Sequence, residues 1–194
     1  MKFIEKKPVN KHPLSLYLTE EREYPPEYEG HAMNFSLITS EGQELASGRC
    51  SLQKDDNDKD YLYISAIYVE GNSNYPTRKN PNRYSGLGMI LVFAAVKFGV
   101  ELNIHTVKLL PVDGSHGFYL KMGFYPKSND PNHLVNEGQI DKITKGRINT
   151  EWLMNFERRT FLNPSFRQST WVGNAYMILP VLRSTILKSW DIIT

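Results

Sequence analysis

Residues 83–99 read RYSGLGMILVFAAVKFG. From position 85 to position 98 the side chains are apolar almost all round, and Lys97 is the only charged one. An all-round apolar pattern of this length predicts a helix that is buried against a sheet. Gly99 predicts the C-terminal end of that helix, because glycine readily adopts the left-handed conformation found there.

The start of this segment predicts a tight turn. Gly86 and Gly88 would expose consecutive backbone N–H groups, and the helix behind them adds the positive end of its dipole. Together these features form a cradle for a pyrophosphate. Leu91 stands where a dinucleotide-binding motif has its third glycine, and the Lys of a P-loop is missing. Taken alone, the two glycines also fit a helix that merely starts close to a strand.

Toward the N-terminus the pattern changes to strands and turns. Residues 61–69, YLYISAIYV, are apolar or aromatic on both faces, which predicts a central strand covered on both sides. Strands are also predicted at 32–39 and 45–52, so the three form an antiparallel meander. A further short strand is predicted within 14–19. The charged run 54–60 is a solvated hairpin tip, since it lacks the glycine and the distant glutamate of a calcium loop.

Downstream of the helix, residues 106–112 predict a strand in which Pro111 removes one backbone donor. Residues 115–122 predict a short helix ended by Gly123, followed by an extended piece at 124–126. Residues 171–182 contain AYMILPVL and predict a last strand.

Two motifs about 30 residues apart carry a resemblance. RYSGLG at 83–88 and FYLKMGF at 118–124 resemble two recurrent segments of the GCN5-related N-acetyltransferase (GNAT) superfamily. The resemblance covers residues 60–126 by motif and 31–60 by layout. It implies an α/β (α+β) fold in which helices flank a mixed, mostly antiparallel sheet. The chain 1–194 would be one domain, with a core at 31–126, a terminal strand at 171–182 and a helical insertion at 127–165.

The resemblance implies an N-acetyltransferase that moves an acetyl group from acetyl-CoA to a primary amine by direct attack. The pantetheine arm would run along the backbone of a central strand, in a splay between two parallel strands with which Pro111 is compatible. The residues implied in cofactor binding are Ile67, Tyr68, Val69, Arg83, Tyr84, Ser85, Gly86, Leu87, Gly88, Met89 and Ser115.

Catalytic roles follow from the same resemblance. Tyr119 would supply a proton or a hydrogen bond to the departing thiolate. Glu70 is the first candidate for the base that deprotonates the amine, Asp113 and His116 are alternatives, and water without a single base is another. His105 precedes the strand at 106–112 and is expected to face away. The sequence departs from the family pattern at Val112, which replaces a frequent Asn, and in the long loop 71–84.

Composition sets further bounds. The 194 residues carry 23 Lys and Arg against 21 Asp and Glu, a formal net charge of +2 that gives no sign of a nucleic-acid partner. No apolar run approaches the roughly 18 residues of a membrane span, and no signal peptide is apparent, so a cytoplasmic protein is expected. The single cysteine, Cys50, is expected in the core, and the reaction implied needs no metal.

The expected partner is a small-molecule amine or a peptide amine. The final segment VLRSTILKSW, residues 181–190, predicts packing on the core or on a second subunit, which leaves a homodimer open. The alternative function is a non-catalytic acyl-CoA-binding or protein-interaction module on the same fold, because a fold does not fix a function.

Overall fold

The computed structural model describes residues 1–6, 15–23, 31–69, 86–112, 115–126 and 170–194. Its strands are β1 (Lys2–Glu5), β2 (Ser15–Glu23), β3 (Ala32–Thr39), β4 (Glu44–Lys54), β5 (Asp60–Val69), β6 (Thr106–Leu109), β7 (Tyr125–Pro126), β8 (Trp171–Asn174) and β9 (Trp190–Ile193). Its helices are α1 (Leu87–Glu101), α2 (His116–Met122) and α3 (Ala175–Ile186). The predictions for Glu70, Arg83, Tyr84, Ser85 and Asp113, and for the insertion 127–165, lie outside these residues.

The described strands form one sheet in the order β7-β8-β6-β5-β4-β3-β2-β1-β9. The β3–β4–β5 meander is confirmed, and β5 and β6 are the parallel pair of an otherwise antiparallel sheet. The predicted fold class, a mixed and mostly antiparallel sheet flanked by helices, is therefore confirmed. Helix α1 packs on β3, β4 and β5, and α3 packs beside α1.

Burial against the sheet explains the composition of α1. Ten of its residues are buried, including every position from Ile90 to Val96. The predicted end at Gly99 is wrong, because the helix continues to Glu101. Gly99 is instead a point of close approach: a Cβ there would lie 3.3 Å from Cδ2 of Leu62 on β5. The absence of a side chain lets α1 lie close to the sheet.

Helix α3 contradicts the predicted terminal strand 171–182. Only Trp171–Asn174 is a strand, and AYMILPVL lies in the helix despite Pro180. The Asn174 side chain accepts hydrogen bonds from the backbone N–H groups of Tyr176 (3.0 Å) and Met177 (3.3 Å), which caps the helix. The buried residues then recur at helical spacing. They are Ala175, Ile178, Leu182 and Ile186.

Two predictions about strands also need correction. The strand expected at 106–112 ends at Leu109, so Pro111 follows it rather than interrupting it. The expectation that both faces of β5 are covered is wrong: Leu62 and Ile64 are buried, but Tyr68 is 64% exposed. An aromatic residue in a strand can thus lie at the surface, because residue type alone does not report what covers each face.

Gly48 on β4 is required by its neighbours, and its replacement gives a stability prediction. A Cβ there would lie 2.5 Å from Cε2 of Phe35 and 2.9 Å from the backbone oxygen of Ala66. Because the backbone cannot yield as a side-chain end does, we expect Gly48→Ala to lower the free energy of unfolding by about 2–3 kcal/mol. Chemical denaturation would measure it, with the adjacent Ser47→Ala as a control expected to stay within about 0.5 kcal/mol.

Candidate functional site

The parallel pairing between β5 and β6 stops partway along β5, because β6 ends at Leu109. Their paired residues run from Leu62↔Val107 to Ile64↔Leu109, whereas β5 continues to Val69. Among the described residues, no strand pairs with 65–69 on the side where β6 lies. Backbone N–H and C=O groups along this edge are therefore placed to pair with an extended, amide-containing ligand.

A β-bulge lies on β5 just beyond the residues that pair with β6. Cys50 pairs with Ile64 and Arg49 pairs with Ala66, so Ser65 is an extra residue on β5. Its Oγ donates a hydrogen bond to the backbone oxygen of Arg49 at 3.1 Å. A bulge bends its strand and increases the local twist. The bulge at Ser65 thus lies directly after Ile64, the last residue of β5 that pairs with β6.

The chain after β6 does not close this opening as a strand. Pro111 has no N–H to offer a ladder, and the flanking Leu110 and Val112 are 48% and 73% exposed. Pro111 therefore lies just beyond β6, and the splay inferred from the sequence stays a prediction.

The glycine turn lies at the start of α1. Gly86 is the N-cap residue, with φ +83°, and no side chain of the described residues caps the helix. Its carbonyl oxygen accepts from the N–H groups of Met89 (3.0 Å) and Ile90 (3.1 Å), so the Met89 N–H is engaged within the helix. The N–H groups of Leu87 and Gly88 are in the first turn, where a helix has no acceptor of its own. They and the helix dipole favour an anion at this position.

Gly88 connects the turn to the other two parts of the site. A Cβ at Gly88 would lie 3.4 Å from Cζ of Phe118 on α2, 3.7 Å from Cγ2 of Val69 and 3.9 Å from Cγ2 of Ile67. The start of α1, the free end of β5 and helix α2 thus meet at one place. The structure places Gly88 beside Ile67 and Val69, and a role of these residues in cofactor binding stays a prediction.

Tyr119 follows Phe118 on α2. Its ring makes edge-on contacts with the rings of Phe118 (centroids 5.0 Å apart) and Phe124 (5.9 Å). Burial raises the pKa of the Tyr119 hydroxyl from 10.0 to about 12. The group therefore stays protonated and can donate a hydrogen bond throughout the neutral and moderately alkaline range.

Ser115 is the N-cap residue of α2. Its hydroxyl donates to the backbone oxygen of Val112 at 2.7 Å, and its N–H donates to the same oxygen at 3.0 Å. These bonds fix the turn between β6 and α2. A contact between Ser115 and a bound thiol stays a prediction.

The candidate bases differ in position. His116 is 4% exposed and its ring lies 5.5 Å from that of Trp171, so it is enclosed by the core rather than presented at the surface. His105 is exposed and packs on Tyr176, with ring centroids 4.7 Å apart. Tyr68 is at the exposed surface of β5. Since Glu70 and Asp113 lie outside the described residues, the identity of the base stays a prediction.

Cys50 is fully buried on β4, as the sequence predicts. Burial, with a smaller contribution from the charge of Glu20, raises the pKa of its thiol to about 12. A thiol held in its neutral form is a poor nucleophile, which argues against an acetyl-cysteine intermediate.

The described segments hold neither a metal-ligand cluster nor a membrane-spanning helix. Within them, no three His, Cys, Asp or Glu side chains are grouped as metal ligands. None of the helices there has the length and apolar character needed to cross a membrane.

Three features of the site escaped sequence reasoning. Phe118 belongs to the FYLKMGF motif, but its position beside Gly88 depends on the folding of the chain and has no signal in the sequence. The bulge at Ser65 has no glycine or proline to signal it. Trp190 lies beside Gly86 although more than 100 residues separate them in the chain.

No protein-family model and no curated protein matches this chain. In fold it is similar to solved acetyltransferase structures. One is a GNAT-family acetyltransferase from Staphylococcus aureus Mu50, with 14% identity, 74% of this chain and 68% of the other covered, and a TM-score of 0.40. Another is a Klebsiella pneumoniae protein described as an acyl-CoA N-acyltransferase, with 10% identity. The match covers 82% of this chain and 97% of the other, with a TM-score of 0.47. A third is Tetrahymena GCN5, with 11% identity. The match covers 74% of this chain and 68% of the other, with a TM-score of 0.41. At these values the likeness assigns no activity, substrate or residue role to this chain.

Proposed function

We propose that this protein is an acyl-CoA-dependent N-acetyltransferase that transfers an acetyl group from acetyl-CoA to a primary amine. The observation that carries the proposal is the meeting, at Gly88, of the part of β5 beyond its pairing with β6 and a helix start whose N-cap residue is a glycine. The first suits an extended chain of amides and the second suits a pyrophosphate. Pantetheine and pyrophosphate are adjoining parts of CoA.

In this proposal the pyrophosphate binds to the N–H groups of Leu87 and Gly88, with Arg83, Tyr84 and Ser85 as further predicted contacts. The pantetheine arm then extends along Ile67, Tyr68 and Val69 on the open edge of β5. Backbone donors at an edge and at a helix start require no titration, so the cofactor affinity should change little with pH in the neutral range.

The transfer is a direct attack. The neutral amine nitrogen forms a bond to the thioester carbonyl carbon, and backbone N–H groups of β5 stabilise the oxyanion. The C–S bond then breaks, the thiolate leaves with the electron pair, and the amine proton passes to a base or to water. An amide and free CoA result.

Tyr119 is proposed to donate a hydrogen bond to the departing thiolate. A phenol with a pKa of about 12 is a weaker acid than an ordinary thiol at about 8.5, so full proton transfer would be uphill by about 5 kcal/mol. A hydrogen bond to the thiolate has no such cost. Solvent or the protonated amine adduct would supply the proton that finally neutralises the thiolate.

The test is an assay of free thiol released from acetyl-CoA in the presence of a panel of small amines, lysine-containing peptides and peptides with free N-termini. We expect amine-dependent release with at least one class, accompanied by a mass increase of the acceptor equal to one acetyl group. CoA binding without release for any acceptor would favour the alternative, a non-catalytic acyl-CoA-binding module.

A further inference from the structure

The indole of Trp190 lies directly behind the glycine turn. Trp190 is the first residue of β9 and is 1% exposed. A Cβ built on Gly86 would lie 3.9 Å from Nε1 of Trp190, which is ordinary van der Waals contact. The side of Gly86 on which another residue would carry its side chain therefore faces this indole.

The backbone around Trp190 is held by residues at the N-terminus of the chain. Trp190 pairs with Glu5 of β1, and the Lys6 N–H donates to the backbone oxygen of Ser189 at 2.9 Å. The Lys6 ammonium donates to the backbone oxygen of Leu187 at 2.7 Å and forms an ion pair with Asp191 at 3.2 Å. Strand β1 and Lys6, which follows it, thus hold the chain on both sides of Trp190.

The contact with Trp190 bears on how the turn keeps the left-handed conformation of Gly86. A glycine permits the left-handed conformation of Gly86 but does not select it, because glycine adopts many others at similar cost. A fixed surface against the turn reduces the number of conformations that it can adopt. The indole of Trp190 provides that surface on the side of Gly86 where another residue would carry its side chain.

We propose that Trp190 is a positioning residue for the pyrophosphate turn, and that the packing of β9 on β1 is thereby coupled to CoA binding. The inference rests on the proposed function, since it concerns the same cofactor site. Coupling is reciprocal: if docked β9 favours the CoA-binding turn, bound CoA must favour docked β9 to the same extent.

The test compares two acyl donors in Trp190→Phe. Phenylalanine keeps an aromatic ring in the core but lacks the second indole ring that carries Nε1. We expect the Kd for acetyl-CoA to rise about tenfold, whereas the KM for S-acetylpantetheine, which has no pyrophosphate, should stay within about twofold. The matched control is Ile192→Val in the same strand, paired with Phe3 of β1, which should change neither value.

Binding of acetyl-CoA to the wild-type protein tests the proposed function, and its binding to Trp190→Phe tests the role of Trp190. If wild-type protein does not bind acetyl-CoA, the proposed function fails and the inference fails with it. If wild type binds and Trp190→Phe binds equally well, the inference alone is overturned. It is also overturned if both donors weaken equally, because a general loss of packing would do that.

Amide hydrogen exchange in the wild-type protein tests the coupling between β9 and CoA binding even if Trp190→Phe does not fold. Saturating CoA at ten times its Kd should slow amide hydrogen exchange in Trp190–Ile193 by up to about tenfold, while the remote hairpin turn at Gly42 and Gln43 should not change. Slower exchange at 86–90 with unchanged exchange in β9 would contradict the coupling.

Discussion

Replacing Tyr119 by Phe is expected to lower kcat for acetyl transfer about 100-fold and to leave the Kd for CoA within about twofold. The change removes one hydroxyl and keeps the ring contacts with Phe118 and Phe124. The lost hydrogen bond acts on the thiolate, which exists only as the C–S bond breaks. Its removal should therefore affect turnover and not binding.

The control is Tyr125→Phe, the same change on β7, where the side chain is half-buried and no role in the site is proposed. It should leave kcat within about twofold, the range of an ordinary surface substitution. Equal losses in the two variants, or unchanged turnover in Tyr119→Phe, would remove Tyr119 from the mechanism.

The raised pKa of Tyr119 adds a pH dependence to this prediction. Because the folded protein disfavours the ionised form, its contribution to stability is complete below pH 10 and is lost as the pH rises from about 10 to about 12. Tyr119→Phe should remove this part of the alkaline destabilisation. A fall in wild-type kcat centred near pH 10 that is missing in the variant would contradict the assigned pKa.

Gly86→Ala is the second prediction with a large effect: we expect the Kd for CoA to rise about 100-fold. An alanine at φ +83° is strained by about 1–2 kcal/mol, so the turn should shift toward negative φ and its N–H groups should turn away from the pyrophosphate. Space is not the cause, because the nearest atom to the new Cβ is 3.9 Å away. Calorimetric titration with CoA would measure the loss.

Gly42 offers a matched control. It has φ +84° in the turn between β3 and β4, and a Cβ there meets nothing within 4 Å. Gly42→Ala should lose the same stability, about 1–2 kcal/mol, without loss of CoA affinity. Equal CoA affinity in the two variants would show that the left-handed turn at Gly86 has no part in binding.

The sequence predicted those elements whose pattern is local. The apolar run of α1 can only be a buried helix, and Gly123 ends α2 in the left-handed conformation expected of it, at φ +103°. The strand at 61–69 and the position of the glycine turn also follow from neighbouring residues. The meander and the buried helix were therefore predictable from local pattern, whereas the fold class followed from the resemblance carried by the two motifs.

The sequence-based predictions are wrong where contacts between residues far apart in the chain determine the local structure. AYMILPVL has no clear alternation or helical period, and the Asn174 cap and the burial of Ile178 in the core favour the helix. Gly99 resembled a helix end because its contact with Leu62 on β5 is invisible in the sequence. The bend at Ser65 and the indole behind Gly86 likewise depend on partners elsewhere in the chain.

The most direct test of the central claim, that the opened β5–β6 pair and the Gly86 turn form one CoA site, is a calorimetric titration of the wild-type protein with CoA and with pantetheine. The account predicts saturable micromolar binding of CoA, and pantetheine binding weaker by a factor of about 100 or more because it lacks the pyrophosphate. A folded protein that binds neither ligand, or that binds both with equal affinity, would contradict it.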